Sequence, residues 1–221
     1  MDIGTPYGLA LASGIDAYIP LLSFAISVRF FHLFKLNPNF SFITQDWFLS
    51  ILVILAIADL IADKIPVVDH IWDAIHTVIR PIAGAIVAAA ASGTQVPHAL
   101  LGQSSINLGA IVAATASGSQ ASDIGLPIAL ILGGILAGMA HTTKTATRLA
   151  STATTAGIAN VGLSIAEDVM VVIATLLSLF VPVVMVVVIA LFVIIFLIVV
   201  PRLFRMLRRG WRRLSRRGGT P

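Results

Sequence analysis

The feature that most constrains this chain is the apolar run from Val169 to Val200, which contains no acidic or basic residue. As one helix it would be about 48 Å long, at ~1.5 Å per residue. That length exceeds the ~30 Å hydrocarbon core of a bilayer. The run therefore predicts membrane-spanning helix, either tilted and protruding as one piece or divided in two at Pro182. The sequence leaves both arrangements open.

The rest of the chain shares this apolar character. Only 11% of its residues are charged and its mean hydropathy is +1.01, whereas a soluble domain carries roughly 25% charged residues. A membrane β-barrel would show alternating polar and apolar residues over ~10-residue segments, and this chain has continuous apolar runs instead. We therefore predict an all-α, polytopic transmembrane bundle of about seven membrane segments, in one domain over residues 1–201.

Breaks in hydropathy divide the chain into these segments. The first carries Gly14, Asp16 and Pro20 in mid-span, so we expect it to be broken there. The third covers only about a dozen residues and spans a membrane only if the amphipathic helix Asp69–Arg80 continues into it. The predicted segments are Pro6–Phe31, Trp47–Lys64, Pro81–Ser92, Pro97–Ser117, Leu126–His141 with a polar extension to Arg148, Leu149–Ser164 and Val169–Val200.

Residues 202–221 form a basic tail that holds eight arginines out of the 14 Lys and Arg of the chain. Arginine-rich segments next to a membrane span stay on the cytoplasmic side and bind anionic lipid. The tail is therefore expected to be cytoplasmic, with the bilayer rather than nucleic acid as its partner. On this count of crossings, Arg29 and Lys35 fall on the same side as the tail.

Two polar stripes interrupt the apolar sequence. Residues at helical spacing form one stripe of Asp69, Asp73, His76 and Arg80, preceded by Asp59 and Asp63, and a second stripe of His141, Lys144 and Arg148. A charge at bilayer depth costs at least ~2.5–3.5 kcal/mol, so charges that persist there pair with one another or line water. We predict that the two stripes face each other across the bundle. The alternatives are a purely structural ion-pair network and an amphipathic helix lying at the membrane surface.

The charge balance of the interior favours a cation over an anion. Candidate interior acids outnumber candidate interior bases, and buried carboxylates without partners take up protons or hold cations. His76 and His141 can also change charge near neutral pH. The acids are Asp16, Asp59, Asp63, Asp69, Asp73, Glu167 and Asp168, and the bases are Lys64, Arg80, Lys144 and Arg148.

Two short motifs resemble each other across the chain, "ASGIDAYIP" and "TAGIANVGL". Each places a glycine shortly before a polar residue, Asp16 in the first and Asn160 in the second. Glycine breaks with a polar residue deep in a segment are typical of the discontinuous helices of transporters. The motifs therefore suggest a pseudo-repeat within the bundle, with Asp16 and Asn160 at helix breaks.

Three motifs, "ASGIDAYIP", "ADKIPVVDHIWDAIHTVIRP" and "AGIANVGLSIAED", together resemble the bacterial membrane-protein family called domain of unknown function DUF4126. The resemblance covers Leu9 to Val181. In that family the position of Asp59 is more often glutamate and that of Asp16 more often asparagine. The resemblance implies a multi-helix protein of the bacterial inner membrane, and it implies no particular activity.

The function that these patterns favour is a transporter or channel for a small solute or ion, a cation or proton, through a polar cavity. Glu167 and Asp168 are placed near one mouth of that cavity. A metal site formed by Asp69, Asp73, His76 and His141 is a weaker hypothesis, and no cofactor is expected. The alternatives are an intramembrane enzyme acting on a lipid phosphate, for which no nucleophile motif is present, and a non-catalytic scaffold that binds another membrane protein, or a second copy of this chain, through its rows of small residues.

Overall fold

The computed structural model describes residues 3–62, 66–92, 122–155 and 158–217, and these ranges form helices and short connections. The elements are α1 Gly4–Ser13, α2 Tyr18–Arg29, a 3₁₀ helix Pro38–Thr44, α3 Asp46–Ala62, α4 Pro66–Ala91, α5 Ser122–Thr155, α6 Ala159–Phe180 and α7 Pro182–Arg217. The predicted all-α membrane bundle is confirmed.

Four helices in the described ranges are long and apolar enough to cross a membrane: Trp72–Ala91, Leu126–Thr152, Gly162–Phe180 and Pro182–Arg202. The 3₁₀ helix and α3 meet at 63° and add a fifth span if they are counted together. The predicted segment Pro97–Ser117 lies outside the described residues. The spans that the structure describes therefore number four or five, against about seven predicted for the whole chain.

The long apolar run is divided at Pro182, which settles the alternative that the sequence left open. Val181 has non-helical dihedral angles, with φ −134° and ψ 57°, and α7 begins at the proline. A proline at the first helical position loses no hydrogen bond, because its missing N–H would have no partner within the helix. Further along, α4 runs without interruption through Pro81, so the amphipathic helix and the third segment form one span.

The predicted boundary between the fifth and sixth segments is wrong. No break occurs near Leu149, because α5 continues to Thr155. Nothing between His141 and Thr155 opposes a helix, since that stretch contains neither glycine nor proline. The sixth predicted segment is therefore shared between the end of α5 at Thr155 and the start of α6 at Ala159.

The first segment is broken as predicted, and its two halves also fold back on each other. Gly14, at the end of α1, packs against Ala137 and Ala140 of α5, whereas Tyr18, at the start of α2, packs against His76 of α4. The helices α4 and α5 are antiparallel, since Asp73 lies near Arg148 and Gly84 lies near Gly133. Successive residues of α1 contact successive residues of α5 in the same order, so these two helices are parallel. Residues at the start of α2 and beyond its end contact α4 in the same order, so α2 and α4 are parallel as well. The pair α1–α2 is therefore a re-entrant hairpin whose tip is Gly14–Ala17.

This topology corrects the expected side of Arg29. The guanidinium of Arg29, at the end of α2, pairs with Asp46 at 2.6 Å. Helix α7 runs parallel to α1, because Gly4 packs on Pro182 and Gly8 packs on Met185. Its basic end therefore leaves the bundle beyond the hairpin tip, at what we call the tail end, and Arg29 lies at the opposite end. The expectation of a shared side counted the first segment as a complete crossing.

Small residues hold the central helices together. All ten residues of α1 are buried, and a Cβ atom added at Gly84 of α4 would overlap the Cβ of Ala137 on α5. A Cβ atom added at Gly134 would lie 3.4 Å from the carbonyl oxygen of Pro81, which is an ordinary contact distance. Close backbone approach of this kind is the usual role of small residues in membrane helices. The row of Gly134 and Gly138 is thus used for packing inside the chain.

Candidate functional site

The carboxylate of Asp59 lies at the centre of the polar residues. It is on the last turn of α3 and is only 2% exposed. The indole Nε1 of Trp72 donates a 2.6 Å hydrogen bond to its Oδ1 atom. The same oxygen lies 3.6 Å from Nε2 of His76 and 4.0 Å from Nη2 of Arg80. Three groups from α4 therefore converge on one buried carboxylate.

The ring of His76 is oriented by a hydrogen bond to a backbone carbonyl one turn earlier in α4. Its Nδ1 atom lies 2.8 Å from the carbonyl oxygen of Trp72. A carbonyl only accepts hydrogen bonds, so Nδ1 must carry the proton and donate it. The second nitrogen, Nε2, then faces Asp59. The rings of Tyr18 and Trp72 pack against the imidazole, with centroids 5.6 Å and 5.2 Å away.

A hydrogen-bond chain fixes the state of His141. Nη1 of Arg80 lies 3.0 Å from Nδ1 of His141, and because a guanidinium only donates, Nδ1 must accept. Nε2 of His141 lies 3.2 Å from the hydroxyl of Thr77, which in turn donates to the carbonyl oxygen of Asp73 at 3.0 Å. The chain requires a neutral His141 with its proton on Nε2. This ring therefore links the two stripes as a fixed structural element.

Arg80 is fully buried and lies between two carboxylates. Its Nη1 atom is 3.4 Å from Asp73 and its Nη2 atom is 4.0 Å from Asp59. Within the described part of the chain, its Nε and Nη2 atoms donate to no acceptor. Because each unsatisfied buried donor costs free energy, these two atoms would gain from an additional acceptor. The side chain is thus held by competing partners and not by a single saturated ion pair.

A second set of ion pairs extends from α4 to the hairpin tip. The guanidinium of Arg148 donates to Oε2 of Glu167 at 2.8 Å and 3.2 Å, and its Nη1 atom lies 3.9 Å from Asp73. The ammonium of Lys144 lies 3.3 Å from the same Glu167 oxygen and donates to the carbonyl oxygen of Ile15 at 3.1 Å. Since carbonyls at a helix C-terminus carry partial negative charge, the end of α1 is a suitable partner for this ammonium.

The hairpin tip also binds a carboxylate. Oδ1 of Asp16 accepts hydrogen bonds from the backbone N–H groups of Tyr18 and Ile19, at 2.7 Å and 3.0 Å. This is the geometry of a helix N-cap, and it neutralises the positive end of α2. Lys144 and Asp16 therefore stabilise the two helix ends that meet at the break.

Two spaces adjoin this polar cluster. A cavity of about 240 Å³ lies between the tail-end parts of α4, α5 and α6, and is lined by Asp73, Ala74, Thr77, Thr145, Arg148, Leu149, Thr152 and Asn160. It is large enough for several water molecules. A crevice at the hairpin tip is too narrow for a water-sized sphere, and is lined by Ile15, Asp16, Asp59, Leu60, Lys144, Glu167, Asp168 and Val171. Arg148 and Glu167 connect the two spaces through their ion pair.

The cluster extends from the interior of the membrane spans towards their tail end, where Asp73 is the second residue of the span Trp72–Ala91. Ile15, whose carbonyl binds Lys144, belongs to the same apolar cluster as Phe192 of α7. Phe192 is halfway along the span Pro182–Arg202. In α4, Arg80 is likewise well inside the span Trp72–Ala91. The ionisable groups at the hairpin tip and at Arg80 therefore lie at a depth where isolated charges are costly.

The comparison of the whole chain with protein-family models is consistent with this architecture. The model of the family described as domain of unknown function DUF4126 matches residues 3–202. The chain belongs to this family. The resemblance noted in the three motifs is thereby confirmed. Comparison with curated proteins and with solved structures gives no match.

Most of the residues predicted for the polar site are brought together. The two stripes meet, as the contacts of Arg80 with His141 and of Asp73 with Arg148 show. Asp16 and Asn160 both lie at helix breaks, although the Asn160 amide donates to Thr152 at 2.9 Å and does not cap a helix. Asp168 lines the crevice. Asp63, Lys64 and the side chain of Asp69 lie outside what the structure describes.

Two aromatic residues of the site were missed from the sequence. Trp72 was not among the predicted site residues, yet its indole donates a 2.6 Å hydrogen bond to Asp59. Tyr18 was not considered, yet its ring packs on His76. The spacing of Trp72 and His76, four residues apart on one helix, is a signal that could have indicated the first. No local signal could have indicated the second, because Tyr18 reaches the site through the fold of the hairpin.

The metal hypothesis finds no support among the described side chains, which contain no group of three His, Asp or Glu residues placed to hold an ion. His141 is a poor ligand for a further reason. Both of its ring nitrogens are engaged, one by Arg80 and one by Thr77. A metal ligand needs a free nitrogen lone pair, and the Nδ1 lone pair of His141 already accepts from the guanidinium.

Proposed function

We propose that the protein moves protons or small cations across the bacterial inner membrane through the polar cluster, with its basic tail in the cytoplasm. Eight arginines next to the last span favour that orientation and favour contact with anionic lipid. The proposal concerns the residues between the tail-end cavity and the hairpin tip.

The observation that carries the proposal is the continuous series of ionisable groups that begins at the tail end of the spans and reaches the hairpin tip inside the bundle. From the cavity, the series runs from Asp73 to Arg148, Glu167 and Lys144, and then to the hairpin tip. Ionisable groups within membrane spans are rare, face cavities, and characteristically mark ion pathways or proton relays. A re-entrant helix pair at the end of such a series is a second feature of transport proteins.

The charge balance supports a cation. The described cluster contains five carboxylates, those of Asp16, Asp59, Asp73, Glu167 and Asp168, against the three permanent cations Arg80, Lys144 and Arg148. Excess negative charge in a low-dielectric interior is compensated by protons or by cations. An anion at this position would add to the imbalance.

The same contacts disfavour an enzyme that acts on a lipid phosphate. Such an enzyme needs cationic side chains available to bind the phosphate. Arg80, Lys144 and Arg148 each lie within 4.0 Å of a carboxylate of the chain. A phosphate would have to displace these carboxylates, at the cost of leaving them buried without partners.

Flux through proteoliposomes tests the proposal. Liposomes containing the purified protein, with an internal pH dye or an internal Na⁺ or K⁺ dye, are expected to dissipate an imposed gradient faster than empty liposomes. The change Asp73→Asn removes the charge between the cavity and both arginines, and is expected to reduce that flux markedly. Asp46→Asn is the matched control, because Asp46 is exposed at the opposite end of the bundle with 88% of its side chain accessible.

Two outcomes would contradict the proposal. One is wild-type flux no greater than that of empty liposomes for protons, Na⁺ and K⁺. The other is equal flux in Asp73→Asn and Asp46→Asn proteins that both retain their helical circular dichroism. Turnover of an added lipid phosphate without flux would favour the enzyme, and neither activity would favour a scaffold.

A further inference from the structure

Within the polar cluster, His76 and Asp59 form a buried pair suited to exchanging a proton. Their side chains are 0% and 3% exposed. Nδ1 of His76 is committed as a donor to the Trp72 carbonyl, so the protonation change of this ring occurs at Nε2, which faces Asp59 at 3.6 Å. When Nε2 takes a proton, the positive charge of the imidazolium lies beside a carboxylate that can balance it.

We propose that Nε2 of His76, facing Oδ1 of Asp59, binds the transported ion, and that this ion is a proton and not a metal ion. The inference rests on the proposed function of the cluster, and adds the identity of the cation and the group that binds it.

Size and ligand geometry distinguish a proton from a metal ion. The crevice beside Asp59 does not admit a water-sized sphere, so a metal ion that keeps its water ligands does not fit there, whereas a bound proton needs no cavity of its own. The described side chains provide no set of three metal ligands. A metal ion also needs several oxygen ligands at fixed distances, whereas the proton needs only the one lone pair of Nε2.

The charges that the structure describes around the pair come from the hairpin, α4, α5 and α6, and Asp73 of α4 contacts Arg80 beside them. They include both positive and negative groups. The gain or loss of one proton at His76 therefore changes the net charge of the cluster without leaving an isolated charge. The groups are Asp16 and Tyr18 from the hairpin, Arg80 from α4, His141 and Lys144 from α5, and Glu167 and Asp168 from α6.

Arg80 connects the pair to the cavity. It follows His76 by one helical turn, so a proton on His76 places two positive charges side by side and they repel each other. The guanidinium can then move from Asp59 towards Asp73, which it already contacts at 3.4 Å and which lines the cavity. Since its Nε and Nη2 atoms have no described acceptor, this movement breaks no hydrogen bond made by those atoms. Proton binding at His76 is thereby coupled to the ion pair at the cavity wall.

Parallel flux measurements test the assignment. Proton flux and Na⁺ or K⁺ flux are measured in the same proteoliposomes for the wild type, Asp59→Asn and His76→Gln. A glutamine can still donate to the Trp72 carbonyl, but it does not titrate. His32→Asn is the control, because His32 is exposed and has a φ of 50°, which asparagine tolerates. Folding is checked for each variant by circular dichroism and gel filtration.

The outcomes separate the inference from the proposed function. Proton flux that disappears in Asp59→Asn and His76→Gln, and persists in His32→Asn, supports the assignment. Na⁺ or K⁺ flux that survives His76→Gln, without proton flux, overturns the assignment and leaves cation transport standing. Absence of any cation flux in the wild type overturns both.

A spectroscopic measurement on the wild type covers the case in which His76→Gln fails to fold. In histidine-labelled protein, the ¹⁵N resonances of His76 are assigned through the contacts of its ring with Tyr18 and Trp72. We expect Nε2 to be seen both with and without its proton as the sample pH is varied over the range in which the protein stays folded. A ring that stays in one state throughout this range would overturn the assignment.

Discussion

The bundle has two regions on either side of the hairpin tip, and they are held together in different ways. Towards the end opposite the tail, α1 is buried between α4 and α5 by glycine and alanine contacts, and the buried residues of α4 from Ala83 to Ala91 are all glycine, alanine or valine. Towards the tail end, the same α4 and α5 present charged side chains to each other. One helix pair therefore changes from backbone packing to ion pairing along its length.

This difference indicates how a membrane bundle places a polar site. Hydrophobic burial contributes little between helices in lipid, so packing depends on close contact and on polar pairs. The small-residue region achieves close contact and leaves no space beside Gly84. The polar region has longer side chains and leaves a cavity of about 240 Å³. The rigid region can thus anchor the helices while the polar region rearranges.

The largest effect is expected from Arg148→Met in the polar region. The substitution removes both hydrogen bonds to Glu167 and the ion pair with Asp73, and so leaves buried carboxylates with fewer partners. Breaking a buried pair on one side typically costs about 3–5 kcal/mol. The free energy of unfolding in detergent, from denaturant titration, measures the loss. Arg202→Met, at an exposed position of α7, is the matched control, and an equal small loss in both would show that the polar region contributes little stability.

An intermediate effect is expected from Gly84→Ala in the small-residue region. The new methyl group would overlap Ala137, and would lie 3.0 Å and 3.2 Å from the carbonyl oxygens of Gly133 and Ala10. Overpacking of this kind costs about 1–3 kcal/mol. Gly162→Ala is the control, because a methyl group there meets no atom within 4 Å, and alanine favours a helix. If the two variants melt at the same temperature, the close contact of α4 and α5 is not what anchors the bundle.

The smallest effect is expected at Asp16, where the two regions meet. Asparagine caps a helix about as well as aspartate, so Asp16→Asn should change the free energy of unfolding by less than about 0.5 kcal/mol, whereas Asp16→Ala should cost about 1 kcal/mol. Thermal melting of the two variants distinguishes the contribution of the capping hydrogen bonds from that of the negative charge. Equal destabilisation by asparagine and alanine would mean that the negative charge of Asp16, and not its hydrogen bonds to Tyr18 and Ile19, holds the tip.

Much of the site could be predicted from local spacing. Residues three or four apart on a helix share a face, so Asp73, His76 and Arg80 are neighbours wherever the helix lies. The high cost of a charge in hydrocarbon then required acidic and basic stripes to meet. The break at Asp16 could also be predicted, because Gly14 and Pro20 on either side of it both disfavour an uninterrupted helix.

What could not be predicted depends on the direction of the chain after each break. A kinked span and a re-entrant hairpin have the same local sequence around Gly14, and only the contacts of Tyr18 with α4 distinguish them. The helix was predicted to continue past His141 as far as Arg148, but its continuity from there to Thr155 was missed because the polar residues resemble the end of a span. Their charges are instead accommodated by Glu167 and Asp73, which lie on other helices.

The sequence by itself determined that this chain is a helical membrane protein with acidic and basic residues in its interior, because hydropathy and helical period depend only on residue order. The tertiary structure alone decided that Asp59 meets Trp72, His76 and Arg80, that Lys144 binds the end of α1, and that Arg29 lies opposite the basic tail. The physical reason is that each of these outcomes depends on how whole helices pack and turn back. Close contacts between small residues fix that packing across long distances in sequence.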